Sequence, residues 1–154
     1  MATVEDLIKK LDSLPAFVKK SGDNSIQNNK EDIINLNKSQ LLSGIDNDGD
    51  QLGLYSPKSI EIRKEKGLQT DHIDLRFTGK FQDSIDLTKN NNEFEINATD
   101  GKWDGNEISP TLSQQWPDAL GLIDTNEDKL TEKLIDEIDK EINNYLDSET
   151  PIKI

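Results

Sequence analysis

The sequence predicts an α+β fold in which amphipathic N- and C-terminal helices pack on a small antiparallel β-sheet with long loops. Apolar residues recur at helical spacing near both ends of the chain. Between them, residues 84–98 alternate apolar and polar side chains around an asparagine-rich turn, which is typical of a β-hairpin. Since 154 residues is the length of one ordinary domain, we predict a single domain. It comprises a helical N-terminal arm (1–24), a core with the hairpin and loops (25–123), a C-terminal helix (124–147) and a tail (148–154).

The N-terminal helix is predicted to begin at Thr3, a good N-cap, with Asp6 in the first turn. Pro15 should kink or split this helix because proline lacks a backbone donor. Ser21-Gly22-Asp23-Asn24 is then predicted to end it. The apolar stripe of this helix comprises Val4, Leu7, Ile8, Leu11, Leu14 and Val18. Either core packing or a subunit contact must cover that stripe.

Residues 25–43 favour a helix, although Ile34 and Leu36 alternate with asparagines as they would in a strand. An acidic turn follows, with Asp46, Asp48 and Asp50 at the first, third and fifth positions of a possible EF-hand loop. That loop requires Gly at its sixth position and an acid at its twelfth, and the chain has Gln51 and Pro57 there. We therefore interpret the segment as a turn stabilised by Asp and Asn side chains, without calcium.

A short basic helix is predicted over residues 57–66. Ser56 suits the N-cap, Pro57 the first helical position and Gly67 the stop. The helix concentrates four cationic side chains on an acidic protein, namely Lys58, Arg63, Lys64 and Lys66. A solvated helix face and a contact with an acidic neighbour are equally consistent with this pattern.

The second half begins with Leu75-Arg76-Phe77 and a turn at Thr78-Gly79, followed by the hairpin with its turn at Asn90-Asn91-Asn92. Residues 99–123 resemble a loop. Trp103 and Trp116 are interpreted as members of a small satellite core, or as anchors between subunits. Asp124 with Glu127 should open the last helix as a capping box, ahead of a stripe that continues towards Pro151.

The composition excludes several functional classes. The formal charge of −13 argues against a broad DNA-binding face, which needs clustered cations. The chain contains no Cys, which excludes disulfides and thiolate metal sites. No apolar run approaches the roughly 20 residues that span a bilayer, so no membrane partner is expected. Residues 1–10 lack the apolar region of a signal peptide, and we expect the protein to be made in a cytoplasm.

No catalytic set is recognisable. His72 is the only histidine, and spacing alone pairs it with no nucleophile or acid. A zinc site would lack nitrogen and sulfur ligands, and no Gly-rich phosphate loop is present. The sequence therefore predicts a protein that is not an enzyme, with no cofactor and no metal.

Three short motifs, in order, resemble the virion-morphogenesis or tail-completion (neck) proteins of tailed bacteriophages. The first is Gly44-Ile45-Asp46 with Asp48-Gly49, Leu52-Gly53 and Tyr55-Ser56-Pro57. The second is Leu75-Arg76 with Thr78-Gly79, Phe81 and Ser84-Ile85, and the third is Ala119-Leu120-Gly121-Leu122 before the last helix. The resemblance covers roughly residues 30–147. One residue departs from it, since Phe77 stands where that family commonly has Asp.

The resemblance implies a small α+β subunit of a sixfold or twelvefold ring at the head–tail junction. Such a subunit would contact copies of itself and other neck, portal or tail proteins, and would let packaged DNA pass without specific binding. It would be assembled in the host cytoplasm and reside in the neck or tail of the virion. The candidate interaction residues are Asp46, Asp48, Asp50, Lys58, Arg63, Lys64, Lys66, Arg76, Thr78, Gly79, Trp103 and Trp116. The second hypothesis is a small acidic phage regulator, or DNA mimic, that binds a host protein.

Overall fold

The computed structural model describes residues 3–98, 102–103, 106–107 and 115–148, with only the backbone at 102–103 and 106–107. The helices are α1 (Val4–Asn28), α2 (Lys30–Leu42), α3 (Pro57–Glu65), α4 (Lys80–Asp83) and α5 (Asp124–Asp147). The strands are β1 (Ile85–Asn90), β2 (Glu93–Ala98), β3 (Lys102–Trp103) and β4 (Asn106–Glu107). The fold is α+β, as predicted.

The chain divides into two compact units. Unit 1 contains residues Met1–Lys30 and Asp128–Ile154, and unit 2 contains residues Glu31–Glu127. The prediction of one domain, with its arm, core, helix and tail, stays a prediction. The described part of unit 1 is α1 with most of α5, whereas unit 2 holds the short helices, both hairpins and the apolar core.

Helix α1 runs without interruption through Pro15 and through residues 21–24, so the predicted split and the predicted break are wrong. Pro15 is exposed, which lets water reach the backbone carbonyl that it leaves without an intrahelical partner. Ser21 is buried, and a Cβ on Gly22 would lie 3.9 Å from Ile138 Cδ1 of α5. The packing of this part of α1 against α5 outweighs the low helix propensity of these residues.

In unit 1, α1 and α5 run antiparallel. Lys10 Nζ donates to the carbonyl oxygen of Leu146 at 3.2 Å, and the Ser13 hydroxyl hydrogen-bonds to Tyr145. The Phe17 ring stacks on Tyr145 with 4.3 Å between centroids. The Thr3 and Asp6 side chains form the predicted capping box at the start of α1. Polar side chains and one aromatic stack therefore contribute to the contact between the two helices.

Helix α1 ends at Asn28, four residues beyond the predicted break, with Asn29 as its C-cap. The Asn29 side chain donates both to the carbonyl of Ser25 and to Glu137 Oε2. The next helix, α2, confirms the helical interpretation over the alternating-strand one. Its buried residues are spaced by four, three and one along the chain, namely Ile33, Asn37, Gln40 and Leu41, as expected for one face of a helix.

The predicted β-hairpin over residues 84–98 is confirmed. Strands β1 and β2 pair antiparallel from Ile85↔Ala98 to Asn90↔Glu93. The two-residue turn between them contains Asn91 at φ 55°, a left-handed conformation that Asn tolerates well. Leu87 lies opposite Ile96, so one face of the hairpin is apolar. That face packs into the core of unit 2.

The core of unit 2 draws on residues far apart in sequence. Its buried members are Leu41, Leu52, Leu75, Ile85 and Ala119. Phe81, Ile96 and Trp116 pack against them as partly buried neighbours. Since these residues come from α2, α4, β1, β2 and the loops, the core brings the separate sequence motifs together.

Candidate functional site

The candidate site lies in unit 2, around a buried ion pair between Arg63 of α3 and Asp74. Both residues are 2% exposed, and Arg63 Nη2 lies 3.2 Å from each carboxylate oxygen of Asp74. Arg63 also donates through Nε to the carbonyl of Gln69 and through Nη1 to the carbonyl of Arg76. One guanidinium therefore fixes the segment 69–76 against α3.

Tyr55 completes the other side of this pair. Its hydroxyl donates to Asp74 Oδ1 at 2.7 Å and accepts from the Asp74 backbone N–H at 3.1 Å. The Arg63 guanidinium stacks on the Tyr55 ring at 4.1 Å from the ring centroid. Burial, together with the nearby Asp74 carboxylate, raises the pKa of the Tyr55 hydroxyl to about 12. The phenol therefore stays protonated and serves as a donor.

Asp74 is saturated with hydrogen bonds. Its carboxylate accepts from Gln69 Nε2 at 2.7 Å and from the Arg76 backbone N–H at 2.9 Å, and its carbonyl accepts from Gln82 Nε2. The next residue, Leu75, is buried at φ 53°, which is strained for a residue with a Cβ. We attribute the persistence of this conformation to the bonds on both sides of Leu75 and to the core around its side chain.

The Thr78-Gly79 turn extends from this cluster. Gly79 has φ 90° and forms the N-cap of α4, with its carbonyl accepting from the Asp83 backbone N–H at 2.9 Å. A side chain would strain this left-handed position, so the glycine is needed for the backbone. Thr78 is exposed, and its hydroxyl accepts from the backbone N–H of Lys80.

Phe77 replaces the Asp that the resemblance would predict, and it has a different partner. Lys66 Nζ lies 5.3 Å from the centroid of the Phe77 ring, within range of a cation–π contact. This contact links the end of α3 to the Thr78-Gly79 turn. Lys58, Lys64, Lys66 and Arg76 are exposed, and we call Lys64, Lys66 and Arg76 the basic patch.

Arg63 does not belong to this patch. From the sequence, Arg63 was predicted to share one cationic helix face with the lysines of α3. Its side chain is instead buried, and its charge is neutralised by Asp74. The acidic partner of Arg63 is a residue of the same chain. The predicted contact of the basic segment with an acidic neighbour stays a prediction. Helical spacing explains the difference, because Arg63 lies on the face of α3 that packs onto residues 69–76.

The acidic turn is organised by one of its three aspartates. Asp46 Oδ1 accepts from the backbone N–H groups of Asp48 and Asp50, at 3.0 and 2.9 Å. This arrangement is the interpretation preferred from the sequence, in which the side chain stabilises its own turn. Asp48 and Asp50 are exposed. Across the described residues, no group of three or more acidic or histidine side chains is arranged to hold a metal ion.

The third motif segment is bound by α2. Gln40 Oε1 accepts from the Ile123 backbone N–H and from Asn126 Nδ2, while Gln40 Nε2 donates to the carbonyl of Gly121. Asn37 Nδ2 donates to the carbonyls of Ala119 and Gly121. The α5 helix begins at Asp124, so this residue is in the first turn instead of forming the expected capping box. Gln40 satisfies the N–H group just before it.

The structure describes Trp116 with its side chain, but only the backbone of Trp103. Trp116 packs against the core, and its Nε1 donates to the carbonyl of Leu52 at 2.9 Å. It therefore ties the residues just before the third motif segment to the first. Asn47 Nδ2 of the first segment also donates to the carbonyl of Leu120 in the third, at 3.3 Å. The backbone of Trp103 is in β3, where it pairs with Asn106. The side chain of Trp103 lies outside the described part of the structure.

Sequence patterns did not single out Asp74, Gln69, Gln82, Asn37 or Gln40. A polar side chain in a loop or on a helix has no periodicity that marks it as buried, so these residues could not be recognised. His72 was singled out and plays a structural part, because its Nε2 donates to the carbonyl of Leu42 at 2.7 Å. Among the described helices, none has both the length and the apolar character required to cross a bilayer.

Comparison with known proteins places no constraint on this site. No protein-family model, no curated protein and no solved structure matches the chain.

Proposed function

We propose that the chain is a structural virion protein of a head–tail connector, neck or tail-completion ring. In this role it bridges portal-side and tail proteins and helps retain packaged DNA. Its partners are copies of itself in a sixfold or twelvefold ring and other phage neck, portal or tail proteins, with DNA passing through the channel unbound. It is assembled in the host cytoplasm and carried in the virion.

The observation that carries this proposal is the convergence of the three motif segments in unit 2. Tyr55 of the first segment and the backbone of Arg76 in the second are both held by the Arg63–Asp74 pair. Asn47, within the first segment, donates through Nδ2 to the carbonyl of Leu120 in the third. Residues that carry the resemblance thus support one another, as expected if together they build one surface.

The charges of the basic patch and of the rest of the chain favour a protein partner over a nucleic acid. The basic patch offers three cations, whereas the chain as a whole carries a formal charge of −13. Such a patch suits an acidic segment of a neighbouring subunit, and the acidic remainder would repel DNA in a channel. Within the cluster, Asp74 and Arg63 are engaged with each other and with the backbone, which is a structural role.

Quantitative mass spectrometry of gradient-purified phage particles tests the proposal. The chain should occur at a low and fixed ratio to the major capsid protein, and that ratio gives the copy number of the ring. Absence from particles, together with abundance in the lysate, would overturn the proposal.

The second hypothesis, an acidic regulator or DNA mimic, has one structural observation in its favour. Helix α5 carries a series of exposed acids at helical spacing, namely Asp128, Glu132, Asp136 and Asp139. Regularly spaced carboxylates can imitate backbone phosphates towards a basic protein surface. Competition of the purified chain with DNA for a host DNA-binding protein would support this hypothesis, and the same chain in purified particles would contradict it.

A further inference from the structure

The Asp48–Gly49 peptide bond lies in the middle of the acidic turn. Both residues are exposed, and the described part of the chain offers no hydrogen bond or ion pair to the Asp48 carboxylate. The Asp46 carboxylate, by contrast, accepts from two backbone N–H groups. The acidic turn therefore contains one carboxylate that holds the turn and another that is free to move.

Gly49 makes the carboxyl carbon of Asp48 accessible to the next backbone nitrogen. A side chain at residue 49 would crowd the nitrogen that must approach Asp48 Cγ, and glycine has none. A Cβ built on Gly49 would meet no atom within 4 Å, so the space around this residue is open as well. An aspartate followed by glycine on an exposed turn is the arrangement in which a backbone nitrogen most readily attacks the preceding side chain.

The Gly49 nitrogen is also the most weakly held of three successive nitrogens in this turn. Its N–H donates to the Asp46 carbonyl oxygen at 3.3 Å, which is longer than an ordinary N–H···O bond. The flanking N–H groups of Asp48 and Asp50 donate to Asp46 Oδ1 at 3.0 and 2.9 Å. Since those two bonds restrict rotation of the Asp48 backbone, the Asp46 carboxylate opposes the approach of the Gly49 nitrogen without blocking it.

We propose that Asp48 is a site of spontaneous isomerisation to isoaspartate, and that the Asp46 carboxylate controls the rate. The Gly49 nitrogen forms a bond to Cγ of the protonated Asp48 carboxyl group. The Cγ–OH bond breaks, and the hydroxyl leaves with the N–H proton as water, which closes a succinimide ring. Water then adds to the former main-chain carbonyl of Asp48 and breaks its bond to the nitrogen. The main chain now runs through Cγ, and the mass of the protein is unchanged.

Isomerisation would lengthen the turn by one backbone carbon. The turn is closed by the bond from the Asp46 N–H to the Asp50 carbonyl at 2.9 Å, and an added atom would disturb this bond. Asn47 donates from its backbone N–H to the Asp118 carbonyl at 2.8 Å and from Nδ2 to the carbonyl of Leu120. A longer turn should therefore loosen the contacts of Asn47.

This reaction goes beyond the ring function and does not depend on it, since it requires only the chain and water. The purified full chain is kept warm at neutral pH for several weeks and is then digested with trypsin. Methyl transfer from S-adenosylmethionine by an isoaspartyl methyltransferase labels the new α-carboxylate, and electron-transfer dissociation locates it in the sequence. Peptide 39–58 should carry isoaspartate at residue 48. The two other Asp–Gly pairs, at 100–101 and 104–105, fall in different tryptic peptides and are measured separately.

Variants at residues 48 and 46 test the chemistry and its control. Asp48→Glu should abolish the signal in peptide 39–58, because ring closure would then need a less favourable six-membered imide. Asp46→Ala removes the side-chain acceptor and should speed isomerisation at least threefold. Asp46→Asn retains an Oδ1 acceptor and should stay within about twofold of the parent.

The synthetic peptide 39–58 gives the rate without the fold. It should isomerise at least threefold faster than the same residues in the folded chain, since nothing then holds its turn. If the peptide forms isoaspartate and residue 48 of the folded chain does not, the site is overturned. Equal rates in Asp46→Ala and the parent, or in the peptide and the folded chain, would overturn the role of Asp46.

Discussion

Arg63 and Asp74 form an ion pair in which one guanidinium nitrogen lies 3.2 Å from both carboxylate oxygens, and both residues are 2% exposed. Two charges removed from water in this way must be satisfied by each other and by their surroundings. Gln69, Tyr55 and the backbone of residues 69–76 supply the remaining hydrogen bonds. The pair defines how residues 55–76 are arranged.

Removing one partner of the pair should be strongly destabilising. Asp74→Ala leaves a buried guanidinium without a counter-charge, and we expect a loss of about 3–5 kcal/mol in the free energy of unfolding. Urea denaturation followed by far-UV circular dichroism measures this loss. Arg76→Ala is the matched control, because Arg76 contributes only backbone groups to the cluster, and it should change stability by about 0.5 kcal/mol or less. Equal effects of the two variants would contradict the assigned role.

Tyr55 should titrate at unusually high pH. Its pKa is about 12 in the folded chain against an ordinary value of 10.0, mainly because it is buried. The neutral phenol is favoured in the fold, so this contribution to stability is complete below pH 10 and is lost as the pH rises from about 10 to 12. The Tyr145→Phe variant leaves Tyr55 as the only tyrosine, and ultraviolet titration of its phenolate should give a midpoint near 12.

Comparison with Tyr55→Phe provides the stability measurement. At neutral pH the parent should be more stable, by about 1 kcal/mol for each hydrogen bond of the hydroxyl. The difference should shrink above pH 10, because Tyr55 is the one titratable group in which the two proteins differ. A difference that is constant up to pH 12 would show that Tyr55 titrates normally.

Gly44 should tolerate no side chain. It has φ +75°, and a Cβ would lie 2.5 Å from His72 Cδ2. Gly67 has a similar φ of +68° with nothing within 4 Å of a Cβ, so it serves as the control. Gly67→Ala should cost about 1–2 kcal/mol from backbone strain alone, and Gly44→Ala should cost more because of the added clash.

Truncating the His72 side chain distinguishes the steric clash at Gly44 from the backbone strain there. In a His72→Ala background, the further substitution Gly44→Ala should cost less than in the parent and approach the cost of Gly67→Ala. Of the close contacts, only the Cβ of residue 72, at 3.2 Å, would then remain. Chemical denaturation of the four variants completes the cycle. An undiminished cost of Gly44→Ala without the imidazole would place the clash elsewhere.

Under the proposed function of a virion subunit, Gly79→Val should abolish particle assembly while the isolated chain stays helix-rich. Valine is β-branched and strongly disfavoured at φ 90°, so the turn that begins α4 would have to change its backbone. Complementation of a phage that lacks the gene measures infectious yield, and circular dichroism measures the helix content. Gly22→Ala is the control, because Gly22 lies in the interior of α1 and alanine there should be neutral or stabilising by about 0.5–1 kcal/mol. A normal infectious yield from Gly79→Val would contradict the importance of this turn.

The elements predicted correctly are those stabilised by interactions within a short stretch of sequence. The N-cap at Ser56, the stop at Gly67, the hairpin over residues 84–98 and the terminal helix over 124–147 all occur where the sequence placed them. Each of these depends on one residue type with a specific backbone preference or on a clear period. The turn at Asp46 belongs to the same class, because a side chain bonds to its own segment.

Interactions between distant residues account for what was missed. Helix α1 continues past residue 24 because of α5, which is more than 100 residues away in sequence, and Arg63 is buried because Asp74 and Tyr55 surround it. Gln40 and Asn37 look like ordinary polar positions of a helix until the loop at 119–123 is placed beside them. Pairings of this kind follow from the tertiary fold and leave no periodic trace in the sequence.

The division of the chain into two units also has a consequence for biosynthesis. Unit 2 is one continuous stretch, Glu31–Glu127, whereas unit 1 combines the first thirty residues with the last part of the chain. During translation, every residue of unit 2 is made between α1 and the rest of α5, so α1 waits for the helix that binds Lys10, Ser13 and Phe17 until synthesis is nearly complete. For that interval the nascent chain exposes both faces of α1, the polar one as well as the apolar one. A ribosome that stalls before residue 128 would release a chain with unit 2 complete and α1 without its partner, and such a product would be a natural substrate for chaperones and proteases.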